Sequence, residues 1–160
     1  IFLAVLFVTL GYAHLEIGLF VIIQAASSLA LRVLAGRMAD KRPAMMAYIG
    51  LLIMTLGLFL VYLTQLPPYL YVASPVYGIG IGLYVPGSQT LALIKSPPDS
   101  RGYLSSIYTM GMDIGTLIGP VVFGLLIEST GSYQGVFALT PILMFVAALI
   151  VIIPTRTFHR

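Results

Sequence analysis

Cysteine is absent from this chain of 160 residues, and charged side chains are scarce. Without cysteine there is no disulfide framework and no thiol chemistry. Charged residues make up 8% of the chain, against about a quarter in an average soluble domain. Because 59% of the residues are apolar and the mean hydropathy is +1.05, so few charges cannot cover a water-soluble surface. The composition indicates a membrane protein.

Signatures of enzymes and of metal sites are also missing. There is no G-x-x-x-x-G-K-[ST] phosphate loop, so ATP is not expected to supply energy within this chain. His14 and His159 stand alone, without metal-ligand spacing. No serine, histidine and carboxylate come together at one membrane depth, as an intramembrane hydrolase would need. We therefore predict no enzymatic activity, no metal and no cofactor.

Short polar breaks divide the chain into six apolar segments. Segments longer than about 18 residues can cross a hydrocarbon core of roughly 30 Å as helices. The first segment is too short, and we expect it to be the tail of a longer helix whose upstream part is missing. The sequence predicts an all-α membrane protein, a bundle of about six transmembrane helices, with spans at about 1–13, 17–38, 44–64, 69–94, 102–127 and 134–153.

Basic residues follow an alternating pattern along these segments. Seven of the eight lie in or beside alternate connections, whereas the other connections contain none: Arg37, Lys41, Arg42, Lys95, Arg101, Arg156 and Arg160. By the positive-inside rule, the loops at 39–43 and 95–101 and the C-terminus are cytoplasmic. We read the net charge of +3 as a topology signal of a multi-pass cell-membrane protein, and not as a sign of nucleic-acid binding.

Residues 36–46 read GRMADKRPAMM and concentrate four charges at one predicted cytoplasmic turn. Such a turn can simply anchor helix ends and set topology. The order Gly36, Asp40, Lys41, Arg42 also resembles the G-x-x-x-D-[RK]-x-G-[RK] loop signature of the major facilitator superfamily of secondary transporters. Pro43 replaces the second glycine of that signature. With this departure, the loop is similar to the degenerate copy of the signature in the second half of the family's fold.

The resemblance covers residues 17–153 and implies a larger architecture. It implies that residues 1–160 form the C-terminal six-helix half of a twelve-span transporter, with the N-terminal half missing. The halves of such a transporter rock about a site near the bilayer midplane, usually driven by protons. By this resemblance, a cytoplasmic gate would include Arg32, Gly36, Asp40, Lys41 and Arg42. Arg32 could instead extend its side chain to the membrane interface.

The segment 111–124, GMDIGTLIGPVVFG, carries a ridge of small residues. Gly111, Gly115 and Gly119 recur every four residues and precede Pro120. Such a ridge lets another helix approach closely, so we predict helix packing here.

Asp113 lies about 200° around the helix from Gly111, on the opposite face. It is about 16 Å along the helix from the cytoplasmic start, close to the midplane. A carboxylate facing lipid there would cost several kcal/mol, so such residues normally mark cavities or proton relays. The alternative is an aspartate hydrogen-bonded between helices. Ser106, Thr109 and Thr116 project within about 60° of Asp113 and complete a polar stripe on this face.

Other polar side chains are predicted to line the same cavity. Gln24 and Ser28 share a stripe with Arg32 at four-residue steps. Tyr77, Tyr84 and Ser88 fall near one face of another segment, with aromatic packing between helices as the alternative.

The remaining segments are expected to serve packing. On the segment that carries the tyrosines, Gly78 and Gly82 form a small-xxx-small packing pair. The uncharged segments 44–64 and 134–153 are expected to be lipid-facing supports.

The predicted function is secondary active transport of a small molecule by alternating access. Efflux of small apolar or amphiphilic compounds by proton antiport is favoured, because the glycine-rich segment and sparse intramembrane charge resemble those of drug exporters. Expected partners are the bilayer, the substrate, protons, and either the missing half or a second copy. A non-transporting scaffold or assembly subunit and a half-size homodimeric transporter are the alternatives. Substrate, direction and coupling ion stay open.

Overall fold

The computed structural model describes residues 7–8, 11, 13–64, 67–94 and 96–156. These ranges form long helices and contain no β-strand, which confirms the all-α fold class. Most of the first predicted segment, 1–13, lies outside the described residues. The helices are α1 (His14–Ala39), α2 (Pro43–Thr64), α3 (Pro67–Leu93), α4 (Arg101–Thr130) and α5 (Tyr133–Arg156), with a 3-10 turn at Pro98–Ser100 before α4.

Length and hydropathy identify three membrane-crossing candidates among the described residues. They are Leu15–Arg32, Pro43–Leu63 and Pro98–Thr130, and α5 adds a shorter apolar stretch, Gly135–Ile150. This is fewer than the six predicted spans. The helix α3 is not among the candidates, and its sequence holds two internal prolines, Pro75 and Pro86, together with four tyrosines and two serines.

Helix ends are set by local chemistry. At the start of α1, the Ala13 backbone N–H donates a hydrogen bond of 3.0 Å to the Glu16 carboxylate. At the end of α4, Gly131 adopts a left-handed φ of 65° and its N–H bonds the Ile127 carbonyl. Ser129 and Thr130, expected in the break between the last two predicted spans, belong to α4, and their hydroxyls donate to the Leu126 carbonyl. Glycine, rather than the preceding polar residues, ends this helix.

The helix α3 lies at the centre and packs most extensively against α2 and α1. Its contact with α2 is close enough to involve the backbones. A Cβ added at Gly50 would lie 2.5 Å from the Tyr84 nitrogen, and one at Gly57 would lie 2.8 Å from the Tyr77 Cα. The later residue of α2 contacts the earlier residue of α3, so the two helices are antiparallel.

The segment 44–64, expected to be a lipid-facing support, also packs inside the bundle. In the membrane-length stretch of α2, 44% of residues are buried, and α2 packs against α5 as well as α3. Met46 and Met54 are buried, while Met45 is exposed. A Cβ added at Gly80 of α3 would lie 2.5 Å from the Met54 side chain. Glycines on both helices let α2 pack into the core. The absence of charge from this segment fits a core helix and a lipid-facing helix equally well.

An apolar cluster joins α1, α2, α3 and α5 near one end of the bundle. The rings of Phe7 and Phe20 meet edge to face, with centroids 5.1 Å apart. This cluster fixes the four helices relative to one another, and its buried members are Phe7, Phe20, Leu58, Val61, Leu70, Ala73 and Phe137.

The helix α4 stands apart from this packed group. It contacts α3 and α5 only sparingly, and none of its residues is buried. It is also the longest described helix, with 30 residues. Its side chains are therefore available to something other than the described helices.

Candidate functional site

The polar stripe predicted around Asp113 lies on the surface of α4. Asp113, Ser106, Thr109 and Thr116 are all exposed. The three hydroxyls bond within their own helix, to the carbonyls of Gly102, Ser105 and Asp113 at 2.8–3.1 Å. The Asp113 carboxylate accepts no hydrogen bond from another described residue. The stripe thus has satisfied hydroxyls and one carboxylate without a partner among the described helices.

The opposite face of α4 is equally open. A Cβ added at Gly111, Gly115 or Gly119 would meet nothing within 4 Å. Pro120 is half-buried. The predicted packing ridge therefore has no partner among the described helices, and its role in packing stays a prediction.

The predicted pair Gly78 and Gly82 lies in the interface between α3 and α1. A Cβ added at Gly82 would lie 2.8 Å from the Ser28 carbonyl oxygen, and one at Gly78 would overlap the Gln24 carbonyl. The later residue of α3 contacts the later residue of α1, so the two helices are parallel. A single side chain in place of either hydrogen would force the two helices apart.

The stripe predicted on α1 is split by this interface. Ser28 is buried, and its hydroxyl has no hydrogen-bond partner. Gln24 is half-buried, and Arg32 is exposed. Ser28 thus lies inside a helix contact and not on an open surface, and its place in a transport pathway stays a prediction.

A residue that sequence reasoning missed completes the same interface. The Ser74 hydroxyl is fully buried and donates a hydrogen bond of 2.6 Å to the Phe20 carbonyl, 54 residues away along the chain. Ser74, Gly78 and Gly82 follow at four-residue steps on α3. The sequence signal that could have identified Ser74 is its position four residues before Gly78, where it extends the glycine pair by one small residue.

Ser88 joins α3 to α4. Its hydroxyl donates to the Tyr84 carbonyl at 2.7 Å, and the Tyr108 hydroxyl of α4 lies 2.6 Å from it. Either hydroxyl can donate the hydrogen bond between Ser88 and Tyr108. Tyr108 was missed because it lies away from the Asp113 stripe on the helical wheel.

The two predicted cavity tyrosines have different surroundings. Tyr77 packs against the apolar cluster between α1, α2, α3 and α5. Tyr84 is half-buried near the Ser88 hydroxyl. The structure therefore brings Tyr84 and Ser88 together with Tyr108, and sets Tyr77 apart from them.

The predicted gate residues lie at the turn from α1 to α2. Asp40, Lys41 and Arg42 are exposed, as is Arg32 on α1. None of these four side chains has an ion-pair partner in the described ranges. The Met38 carbonyl accepts hydrogen bonds from the Lys41 and Arg42 backbone N–H groups at 3.1 and 3.0 Å, which makes the turn tight.

Gly36, the first residue of the loop signature, is similarly open. A Cβ added there would meet nothing within 4 Å. Its carbonyl accepts a hydrogen bond from the Asp40 N–H at 3.2 Å. No described helix uses Gly36 for a close approach, so the gate contacts stay a prediction.

The polar side chains of α4 form a polar surface on a membrane helix bundle. Within the described ranges, no group of three or more histidines, cysteines and carboxylates could hold a metal ion. The exposed Asp113 carboxylate on α4 can bind a cation or a proton, and the neighbouring hydroxyls can accept hydrogen bonds.

The similarity of this chain to known proteins lies at the level of a family. No protein of curated description matches the chain significantly. The family model of the Major Facilitator Superfamily matches residues 1–160. This confirms the resemblance indicated by the loop at 36–46. Because the match spans the whole sequence, the chain belongs to the Major Facilitator Superfamily of membrane transporters, as a multi-pass membrane protein.

Proposed function

We propose that this chain forms one six-helix half of a secondary active transporter, which exports small apolar or amphiphilic compounds in exchange for protons. The observation that carries the proposal is the position of Asp113. It lies on a helix that buries none of its residues, while α1, α2 and α3 pack together. Family membership supports transport in general, and the proposal adds the residue and its role.

An exposed carboxylate near the bilayer midplane needs an aqueous or polar environment. Facing lipid would cost about 3 kcal/mol or more at that depth. The described helices provide no hydrogen-bond donor for it. Water in a cavity shared with a second bundle would solvate the carboxylate and also give protons access to it. Asp113 would then take up a proton from one side and release it to the other.

The rest of the exposed α4 surface favours an apolar substrate. Leu117, Ile118 and Val121 are among its exposed side chains, and no basic residue follows Arg101 on this helix. A cavity wall of this composition binds apolar surface, and Asp113 is the negative charge in the middle part of the helix. It therefore suits an amphiphilic cation better than an anion such as a sugar phosphate.

The glycine ridge of α4 supports a second bundle as partner. Gly111, Gly115 and Gly119 offer a smooth surface to which a helix can pack, and no described helix occupies it. We propose that an N-terminal half of the same protein packs there. A second copy of this chain would use the same ridge if the protein works as a half-size homodimer.

The turn from α1 to α2 is proposed as the cytoplasmic gate. Asp40 and Arg32 are free of ion pairs in the described ranges, so each is available to a partner bundle. Such pairs would form in the conformation that closes the cytoplasmic side. The proposed orientation, with this turn and the C-terminus in the cytoplasm, follows from the distribution of basic residues.

The test uses the full-length protein in liposomes with an imposed pH gradient and ethidium as the amphiphilic cation. We expect gradient-driven ethidium transport by the wild type and its loss in Asp113→Asn, because the amide cannot carry a proton. Glu128→Gln is the matched control, since it removes an exposed carboxylate from the end of the same helix. It should keep wild-type transport.

Each negative result rejects a separate part of the proposal. Unchanged transport by Asp113→Asn would reject the proton-carrying role of this residue. Failure of the wild type to move ethidium under the gradient would reject proton-coupled efflux of amphiphilic cations.

A further inference from the structure

A groove opens where α1 turns into α2, at the end of the bundle that holds the proposed gate. Its volume is about 290 Å³, and its wall combines methionines with two basic residues. Met46 is buried, while Met38 and Met45 are exposed by 57% and 51%. The lining residues are Met38, Lys41, Arg42, Met45, Met46 and Ile49.

The apolar part of this wall is adaptable. Methionine side chains are flexible and polarizable, so they can follow the shape of an alkyl chain. Leu34, four residues before Met38 on α1, is also exposed, so this side of α1 stays apolar away from the groove. An amphiphile could therefore enter this groove from the lipid without crossing water.

The charged part of the wall carries only positive charge. Lys41 and Arg42 are exposed and have no ion-pair partner in the described ranges. Asp40 precedes them in the chain but does not line the groove. Two unpaired cations beside an apolar groove are complementary to a molecule with an anionic head and an apolar tail.

We propose that this groove binds an anionic phospholipid from the adjoining membrane leaflet. The phosphate lies against Lys41 and Arg42, and the first methylenes of an acyl chain run along Met38, Met45 and Ile49. Basic pockets between transmembrane helices are known to hold lipid phosphates. A free phosphate would leave the methionine wall uncovered, which is why we assign a lipid. This proposal does not depend on the transported substrate or on Asp113.

The experiment titrates the purified full-length protein in detergent with phosphatidylglycerol and counts bound lipids by native mass spectrometry. The variant Lys41→Gln/Arg42→Gln should bind phosphatidylglycerol about 25-fold more weakly, because each charge contributes about fivefold. Phosphatidylcholine with the same acyl chains should bind more weakly than phosphatidylglycerol to the wild type, and equally to wild type and variant.

Two controls separate charge at the groove from charge in general. Arg37→Gln removes an exposed basic residue from the last turn of α1 that does not line the groove, and it should keep wild-type binding. Lys41→Arg/Arg42→Lys keeps both charges and should also retain binding. Equal losses in Arg37→Gln and in the double glutamine variant would overturn the proposal.

A competition experiment distinguishes the lipid from a soluble anion. Inorganic phosphate and glycerol phosphate, which lack acyl chains, should not displace phosphatidylglycerol at equal concentration. Displacement by either would identify a simple anion site and overturn the assignment of a lipid.

Discussion

Two helices of this bundle carry glycines at the same spacing but have very different surroundings. The helix α3 carries Gly78 and Gly82, and α4 carries Gly111 and Gly115, with the same four-residue spacing in each pair. On α3 the glycines meet the backbone of α1, whereas on α4 they meet nothing within 4 Å. A small-residue ridge therefore marks a helix that can pack closely, and only the neighbouring helices determine whether it does.

This difference separates stability from function in the molecule. The helices α1, α2 and α3 form the packed part, and α4 presents a polar stripe and a glycine ridge to the outside. Substitutions in the first region should act on folding. Substitutions on α4 should act on what it contacts outside the described helices.

The largest expected effect comes from Gly78→Leu. Its side chain would enter the Gln24 backbone, so α1 and α3 would have to separate, at a cost of about 3 kcal/mol in the free energy of unfolding. Gly115→Leu is the matched control, because its side chain meets open space. Thermal unfolding followed by circular dichroism in detergent measures both.

Gly115→Leu should keep the wild-type unfolding midpoint and still reduce ethidium transport in liposomes, because a partner bundle would meet the added side chain. Equal destabilisation by the two leucine variants would contradict the distinction between the two ridges. Normal transport by Gly115→Leu would contradict a partner on α4.

An intermediate effect is expected from Ser74→Ala. This variant removes the buried hydrogen bond to the Phe20 carbonyl between α3 and α1, which should lower the free energy of unfolding by about 1 kcal/mol. Ser129→Ala removes an exposed hydroxyl that bonds within α4, and it should change the free energy of unfolding by less than about 0.5 kcal/mol. Chemical denaturation in mixed micelles provides the comparison. A loss no larger than that of Ser129→Ala would show that this bond does not stabilise the packed region.

The smallest effect is expected where the two regions meet, at Tyr108. Tyr108→Phe removes the hydroxyl that bonds Ser88, so backbone amides at the start of α4 should exchange hydrogen about threefold faster. Tyr103 on the same helix is 70% exposed, and Tyr103→Phe should leave these rates unchanged. Hydrogen–deuterium exchange with mass spectrometry reads both. Equal rates in the two variants would mean that the hydroxyl pair does not hold α4 to α3.

Sequence reasoning reached the fold class and the family, but only part of the candidate site. The loop at 36–46 indicated the Major Facilitator Superfamily, and the family match confirms it. The segment 44–64 was expected to be a lipid-facing support, and the sequence did not show that α2 also packs against α3 and α5. Gly50 and Gly57 of α2, which let Tyr84 and Tyr77 approach, escaped notice because they are seven residues apart and not four.

The hydrogen-bonding residues show the same limit. Ser74 and Tyr108 act through partners on other helices, at Phe20 and Ser88. Within a membrane helix, a hydroxyl can equally bond its own backbone, as Ser106 and Thr109 do. Local sequence does not distinguish these two outcomes.

By itself the sequence determined that the chain is helical, that it lies in a membrane and where its charged turn falls. These properties depend on hydropathy, helix length and the order of neighbouring residues, all of which are local. The tertiary structure decided that α3 packs between α1 and α2 and that α4 keeps both of its faces open. Those outcomes depend on the shapes of surfaces distant along the chain, because a glycine ridge or a hydroxyl is satisfied only by what another helix presents to it.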